Sequence, residues 1–177
     1  MDVKEEFKIR GIRRSDMKDI ISCYYERYDE VKTNPDMGVG LYKKKPTMEH
    51  ERKWFNEMMK GVGKGSRIFS VAEVNGRVVG TCDISPKYPN AESSHVGQLG
   101  ISVRRGYRSM GIGTALIRHS IQRARKRYKI MALGVWSLNP RAFKLYKRMG
   151  FKTYGRLPEG VVRKGKKQTI IMMYRRL

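Results

Sequence analysis

The spacing of hydrophobic and polar positions along the chain predicts one mixed α/β domain that spans residues 1–177. Residues 7–12 alternate apolar and charged side chains, as a half-buried strand does, and Ser15 is predicted to cap the helix that follows. The Asn75-Gly76 pair between two apolar runs predicts a hairpin with a type I′ turn. The predicted strands are residues 7–12, 67–74, 77–85, 95–103, 130–136, 151–156 and 168–174; the predicted helices are 15–28, 49–59, 111–129 and 140–149; and the predicted loops are 34–45, 86–94 and 157–167.

The stretch from Leu99 to Ile117 is the most informative part of this pattern. An apolar, β-branched run ends in a basic loop, and a helical pattern begins immediately after Arg108, Gly111 and Gly113. Backbone amides at the start of a helix favour an anion, and glycines let a phosphate approach the backbone closely. The turn therefore predicts a site for a ligand that carries phosphate.

Three kinds of phosphate site are compatible with a glycine turn of this sort. A P-loop requires a Gly-Lys-Ser/Thr sequence, which is absent. A dinucleotide site requires a third glycine where Leu116 lies and an acidic residue on the next strand, but residues 130–136 contain no acid. The remaining interpretation is an Arg-x-x-Gly-x-Gly loop that cradles the pyrophosphate of coenzyme A.

A second block of sequence supports this last interpretation. Residues 133–151 have the sequence LGVWSLNPRAFKLYKRMGF, and together with the glycine turn they resemble the GNAT superfamily of acetyl-CoA-dependent N-acetyltransferases. The resemblance covers residues 97–151. It implies a single domain whose central, mostly antiparallel sheet is splayed at the cofactor site and flanked by about four helices, with acetyl-CoA as the cofactor.

The resemblance also implies roles for individual residues. Amides near the end of the central strand would bind the pantetheine arm and the acetyl carbonyl, and the glycine turn would bind the pyrophosphate. Tyr146 would be the catalytic general acid that protonates the departing thiolate, although it also fits the apolar stripe of its helix. Asn139 would contact the cofactor arm, although it also fits a helix N-cap before Pro140. The residues predicted to bind the cofactor are Ile101, Ser102, Val103, Arg108, Ser109, Met110, Gly111, Ile112, Gly113, Thr114 and Asn139.

The general base is the point at which the chain departs from the family. The acids that family members carry on the central strand or on the next strand are replaced by Gln98 and Gly134, and neither can accept a proton. Deprotonation through ordered water is one alternative. The ionisable residues that remain as candidates are Glu73, Asp83, Glu92, His95 and Glu159.

The charge of the chain is strongly basic and unevenly distributed. The sequence holds 39 Lys and Arg against 16 Asp and Glu, a net charge of +23, and residues 101–177 contain 21 of these cations but a single acid, Glu159. A positive field favours an anionic cofactor, and the excess predicts either a second, acidic partner such as nucleic acid or a compositional bias. One cluster of cations, here called the basic stripe, either contacts phosphate or forms a solvated helix end: Arg123, Arg125, Lys126, Arg127 and Lys129.

The remaining features bear on localisation and mechanism. Cys23 and Cys82 lack the spacing of a metal site, and two reduced thiols suit the cytoplasm. No metal, signal peptide or membrane-spanning run is predicted. The combined prediction is a cytoplasmic enzyme in which a primary amine of a small molecule or a protein attacks the bound thioester directly. The alternative is a weakly catalytic protein of the same fold that binds acetyl-CoA, nucleic acid or both.

Overall fold

A computed structural model describes residues 6–34, 37–40, 44–88 and 90–177 of the chain. In this part of the chain, the elements follow the predicted order and confirm the mixed α/β class. The predicted loops over residues 34–45 and 86–94 lie partly outside the described residues. The strands are β1 (Lys8–Gly11), β2 (Ile68–Val74), β3 (Arg77–Pro86), β4 (Val96–Val103), β5 (Ile130–Trp136), β6 (Lys152–Arg163) and β7 (Lys166–Arg176), and the helices are α1 (Met17–Thr33), α2 (Met48–Gly63), α3 (Ile112–Ala124) and α4 (Pro140–Arg148).

The strands form one sheet in the order β1-β2-β3-β4-β5-β7-β6, which is splayed near its centre. Neighbouring strands are antiparallel except β4 and β5, which are parallel. The parallel pair is joined only from Val96 to Gln98 on β4 and from Ile130 to Ala132 on β5. Beyond these residues the two strands separate, which confirms the predicted mostly antiparallel, splayed sheet.

The two faces of the sheet carry separate apolar cores. On one face, α3 buries Leu116 and Ile117 completely, and α3 packs on β2, β3 and β4. On the other face, α1 and α2 bury Ile20 and Phe55 against Val71 of β2. Burial of each such side chain contributes about 1.5–3 kcal/mol, so both cores hold their helices firmly against the sheet.

The first helix begins later than predicted. Arg14–Asp16 form a short 3-10 turn that contains Ser15, and α1 then starts at Met17. The carboxylate that organises this turn belongs to Asp16, which accepts hydrogen bonds from the Arg13 amide at 2.7 Å and from the Arg10 guanidinium at 2.8 Å. The prediction that Ser15 caps the helix is wrong, because an ionised acceptor with an arginine partner makes stronger hydrogen bonds than a hydroxyl.

The third helix ends earlier than predicted. It ends at Ala124 rather than near Lys129, because Tyr128 turns into the core and is fully buried there. The Tyr128 hydroxyl donates a hydrogen bond to the Ser66 carbonyl at 2.6 Å, which satisfies its polar end. A buried aromatic contact distant in sequence therefore overrides the helical pattern.

The C-terminal region is one long hairpin rather than two short strands with a loop between them. The prediction of a loop over residues 157–167 is wrong, because β6 and β7 pair through most of that range and reverse at Lys164 and Gly165, both of which have positive φ. Pro158 and Gly160, which are uncommon inside strands, lie where the pairing register shifts between Leu157 and Val161. An edge strand tolerates proline at such an irregularity.

Candidate functional site

The separation of β4 and β5 opens a cavity of about 660 Å³, here called the larger cavity. Its walls come from the end of β4, the glycine turn, the start of α4, the α1 side of the sheet and residues 37–39. The lining residues are Arg27, Asn34, Met37, Gly38, Val39, Ile101, Ser102, Val103, Tyr107, Arg108, Ser109, Gly111, Gly113, Thr114, Leu138, Asn139, Pro140, Arg141, Ala142, Leu145 and Arg148.

The glycine turn opens α3 in a conformation that requires glycine. Gly111 occupies the N-cap position with φ of +84°, in the left-handed region that other L-residues rarely adopt. A Cβ at Gly113 would come within 3.2 Å of the Leu145 side chain on α4, so the absence of a side chain lets α4 approach the turn. The first amides of α3 therefore face the larger cavity without side chains in front of them.

Most of the residues predicted to bind the cofactor lie together around this cavity. The exceptions are Met110 and Ile112, whose side chains pack into the core. Ile112 is 1% exposed, so only its backbone amide, at the start of α3, could serve a ligand. The sequence pattern predicted that these residues lie close together, and they do. It did not distinguish residues that could offer only a backbone amide from residues whose side chains face the cavity.

Arg108 lines the cavity, but its charge already has a partner. Its guanidinium nitrogens donate to both carboxylate oxygens of Glu30 at 2.6 Å, and its Nε donates to the Val103 carbonyl at 3.0 Å. Such a bidentate pair is directional and strong. Arg108 therefore ties α1 to the end of β4 and to the glycine turn.

Asn139 has the capping role that was one of its two interpretations. Its Oδ1 accepts a hydrogen bond from the Ala142 amide at 3.0 Å, at the start of α4. Its amide nitrogen donates to the Gly38 carbonyl at 3.3 Å, so the same side chain holds residues 37–40 against the cavity. Contact between Asn139 and a cofactor stays a prediction.

Tyr146 lies in the core behind the larger cavity. It is 7% exposed, packs edge-to-face on Phe151 with ring centroids 5.9 Å apart, and is not among the residues that line the cavity. Burial raises the pKa of its hydroxyl, which keeps the proton in place at neutral pH. Its neighbour Leu145 is the residue of that turn that faces the cavity.

A second cavity of about 320 Å³, here called the smaller cavity, lies between the sheet and the two helices α1 and α2. Phe69 pairs with Asp83 across β2 and β3, and Asp83 pairs with Gly100 across β3 and β4. Directly paired residues project from the same face of a sheet, so these three form a row across the floor of the cavity. The lining residues are Ile20, Cys23, Tyr24, Arg27, Gly40, Glu51, Trp54, Phe69, Thr81, Asp83, Gly100, Ile101 and Ser102.

Asp83 is the ionisable group at the centre of this row. A Cβ on Gly100 would lie 2.7 Å from its Oδ1, so the carboxylate occupies space that only glycine leaves open. Burial raises the pKa of this carboxyl to about 6, although the charges of Arg67 and Arg27 oppose the shift. In the described part of the chain, no hydrogen bond or ion pair joins the carboxylate to another side chain.

The other candidate bases lie elsewhere. Glu73 forms an ion pair with Arg10 at 2.5 Å, and Glu159 forms one with Lys167 at 2.7 Å. Glu92 and His95 are exposed and line neither cavity. Among the five candidates, Asp83 alone lies in a cavity that adjoins the end of β4.

Two further charged residues of the smaller cavity carry no signal in the sequence. Arg27 lines both cavities, and within the described residues its Nε has no hydrogen-bond partner. Its guanidinium lies 5.0 Å from the centre of the Tyr24 ring. Glu51 is 5% exposed, and burial raises the pKa of its carboxyl. Both belong to ordinary amphipathic helices, so only the packing of those helices on the sheet identifies them.

Comparison with known proteins agrees with this geometry. The model of the acetyltransferase (GNAT) family matches residues 20–151, three quarters of the chain, including the glycine turn, β5 and α4. The chain belongs to the GNAT acetyltransferase family.

The relatives are consistent with this assignment. An uncharacterized N-acetyltransferase of Methanocaldococcus jannaschii is 35% identical over 150 residues, which is 82% of this chain and 61% of the relative, so this GNAT chain spans about three fifths of that protein's length. A ribosomal-protein-alanine N-acetyltransferase from Brucella melitensis superposes with a TM-score of 0.81 at 21% identity, covering 96% of this chain and 99% of that one. A phosphinothricin acetyltransferase from Sinorhizobium meliloti, solved with acetyl-CoA, superposes with a TM-score of 0.81 at 19% identity, covering 97% and 88%. These two structures share the fold.

The basic stripe of this GNAT chain lies away from both cavities. Arg123 is in the last turn of α3, at the opposite end of the helix from the glycine turn, and the stripe residues are exposed. The exposure fits the interpretation of the stripe as a solvated helix end, and no finding supports a nucleic-acid partner.

Within residues 6–34, 37–40, 44–88 and 90–177, no group of three His, Cys, Asp or Glu side chains is placed to hold a metal ion. No helix in the described chain combines the length and the apolar character needed to span a membrane.

Proposed function

We propose that this protein is an N-acetyltransferase that transfers an acetyl group from acetyl-CoA to a primary amine by direct attack within a ternary complex. The observation that carries the proposal is the larger cavity, which joins the first amides of α3 at one end to the unpaired part of β4 at the other. Family membership supports the same donor.

The residues around the larger cavity fit acetyl-CoA. The amides from Ser109 to Thr114 lie at the positive end of the α3 dipole, where a pyrophosphate would be stabilised. The absence of side chains at Gly111 and Gly113 leaves room for phosphate close to the backbone. When bound, acetyl-CoA would supply an acetyl thioester, and the pantetheine arm would extend along Ile101, Ser102 and Val103.

The splay of the sheet supplies donors for the thioester carbonyl. Among the described strands, none is hydrogen-bonded to β4 on its β5 side after Gln98. Successive residues of a strand direct their amides to alternate sides, so every second amide from Leu99 to Val103 faces the gap. Such fixed donors polarise a carbonyl and stabilise the charge that develops on its oxygen during attack.

Direct attack is favoured because the thiols are poor nucleophiles. Burial raises the pKa of Cys23 to about 11 and that of Cys82 to about 12, so both remain protonated at neutral pH. Cys82 is also fully buried. An acetylated cysteine intermediate would need an accessible thiolate, which neither provides.

The departing thiolate requires a proton, and we assign its donation to Tyr146. The raised pKa of this phenol keeps it protonated, as a general acid must be before the reaction. Its ring packs edge-to-face on Phe151, with the ring centroids 5.9 Å apart.

A turnover screen tests the proposed function. The purified full-length chain is incubated with acetyl-CoA and a panel of small amines, amino acids and peptide N-termini, and free CoA thiol is measured. We expect acceptor-dependent release of CoA, with acetylated product confirmed by mass spectrometry. If the chain binds acetyl-CoA in calorimetry but acetylates no acceptor, the enzyme proposal fails and the alternative of a weakly catalytic binding protein replaces it.

A further inference from the structure

The smaller cavity adjoins the larger one at the point where acetyl transfer would occur. Both cavities are lined by Ile101 and Ser102 of β4 and by Arg27 of α1. A molecule in the smaller cavity would therefore reach a thioester held along β4 without leaving the protein interior. This continuity makes the smaller cavity the natural place for the second substrate.

We propose that the smaller cavity is the acceptor site, and that it binds a small primary amine that also carries a carboxylate or a similar anionic group, as an α-amino acid does. Asp83 accepts the proton of the amine, and Arg27 pairs with the anionic group. The proposal rests on the acetyltransferase function proposed above and names the acceptor class of that same site.

Asp83 is placed to receive the proton. Its carboxylate lies over Gly100, the residue before Ile101, at the border between the two cavities. No side chain in the described part of the chain forms a hydrogen bond or ion pair with it, so the carboxylate is available to an incoming ammonium. Burial holds its pKa near 6, so it is ionised at neutral pH yet basic enough to take a proton from an amine during attack.

Arg27 lacks a direct anionic partner among the described residues. It is a largely buried cation whose Nε has no hydrogen-bond partner there, its guanidinium lies against the Tyr24 ring, and the Asp83 carboxylate acts on it without forming an ion pair. Burial lowers the pKa of this guanidinium, which reflects the cost of holding the charge there. An anionic group on the acceptor would supply a direct partner for this guanidinium.

The size and walls of the cavity favour a small molecule. A volume of about 320 Å³ suits a ligand of amino-acid size. Trp54, Phe69 and Ile20 provide apolar surface for a side chain. Glu51 adds a second carboxyl, so a zwitterion finds partners of both signs within one cavity.

The transfer step balances with these groups. The ammonium gives one proton to the Asp83 carboxylate, and the nitrogen lone pair forms a C–N bond to the acetyl carbon. The C–S bond breaks with its electron pair on sulfur. As the amide forms, the nitrogen loses a second proton to water, the CoA thiolate gains one from Tyr146, and Tyr146 is reprotonated from water. Asp83 returns its proton to water, so the products are the acetylated amine, CoA thiol and one proton.

The test compares α-amino acids with the amines that remain when the carboxylate is removed, such as phenylalanine and phenethylamine. We expect kcat/KM for the amino acid to exceed that for the matched amine by about 10- to 100-fold, the range of a buried charge-assisted contact. Arg27→Gln should reduce this ratio towards one. Arg52→Gln, which removes an exposed arginine from the neighbouring helix, is the matched control and should leave the ratio unchanged.

A second variant tests the base. Asp83→Asn should lower kcat/KM by about 10²- to 10⁴-fold and remove the limb of the pH profile near pH 6. The pKa of this carboxyl is about 6 in the folded protein, above the ordinary value of 3.8. Folding therefore loses free energy as the pH rises from about 3.8 to about 6, and the whole cost is present at pH 7.5. The neutral variant avoids this cost and should have a higher Tm at pH 7.5. A merely structural aspartate would instead lose stability and activity together.

The outcomes separate this inference from the proposed function. One outcome would overturn the acceptor site and leave the acetyltransferase function standing. In that outcome, peptide N-termini or decarboxylated amines have the same kcat/KM as amino acids, and Arg27→Gln leaves the ratio of kcat/KM between amino acid and matched amine unchanged. If Asp83→Asn keeps the wild-type rate and pH profile, Asp83 is not the base. If acetyl-CoA binds and nothing is acetylated, both proposals fall.

Discussion

Replacing Gly111 with aspartate tests the phosphate-binding role of the glycine turn. Gly111 lies at the N-cap of α3 with φ of +84°, and an added Cβ would meet no atom within 4 Å. The substitution therefore introduces backbone strain and a negative charge but no steric clash. Both effects can be estimated separately.

The effect on stability should be small. A left-handed conformation costs an L-residue about 1–2 kcal/mol, although aspartate tolerates it better than most. At a helix N-cap, aspartate is only a few tenths of a kcal/mol better than glycine, and its charge at the helix N-terminus adds about 0.3–1 kcal/mol. The free energy of unfolding should therefore fall by about 1 kcal/mol or less. Gly165→Asp is the matched control, because Gly165 has φ of +75° and open space around it, but lies in the β6–β7 turn away from both cavities. Gly165→Asp introduces the same backbone strain, but the new carboxylate does not lie at a helix N-terminus.

The effect on cofactor affinity should be large. Two unit charges 4 Å apart repel by about 4 kcal/mol at an effective dielectric constant of 20, which corresponds to roughly 10³-fold in Kd. Calorimetric titration with acetyl-CoA should show this loss in Gly111→Asp and wild-type affinity in Gly165→Asp. Gly111→Asn, which has nearly the same shape without the charge, should lie between them. Near-normal affinity in a folded Gly111→Asp protein would refute a phosphate on these amides.

Three further changes have distinct expected outcomes. Tyr146→Phe should lower turnover by about 10²-fold and leave acetyl-CoA affinity nearly intact, and full activity in a well-folded variant would restrict Tyr146 to packing. Glu30→Gln should weaken acetyl-CoA binding by releasing Arg108 from α1 and loosening the turn; a Kd that stays at the wild-type value would show that the ion pair does not position the turn. Neutralising the first four residues of the basic stripe should leave small-amine turnover unchanged, because the stripe lies at the far end of α3; a fall in turnover would contradict that independence, and a flattened salt dependence of nucleic-acid binding would revive the acidic-partner hypothesis.

The parts of the fold that could be predicted from sequence were those with local causes. The type I′ turn at Asn75 and Gly76 has positive φ at both residues, as the dipeptide predicted. The strand from Ile130 to Trp136 has the bounds that its apolar run indicated. Likewise the glycine turn and the start of α3 are set by residues that are adjacent in sequence. In these segments the pattern and the structure depend on the same few neighbours.

The parts that could not be predicted depend on contacts between distant residues. Glu30, which neutralises Arg108, comes from a helix 78 residues earlier in the chain. Tyr128 ends α3 by reaching Ser66, 62 residues away. Neither partner is marked by any spacing, because each is an ordinary helical or loop residue until the sheet brings the segments together.

The missing base illustrates how a chemical group can be supplied by a different strand. The family resemblance directed attention to Gln98 on β4 and Gly134 on β5, and neither is ionisable. Asp83 lies on β3 and pairs with Gly100, which is two residues after Gln98 and therefore on the same face of the sheet. The carboxylate occupies the space above Gly100, so it reaches from the neighbouring strand towards the face on which the family's central strand carries its acid. Any side chain at position 100 would displace it, and Gly100→Ala, whose Cβ would lie 2.7 Å from Asp83 Oδ1, should therefore reduce turnover even though it removes no ionisable group.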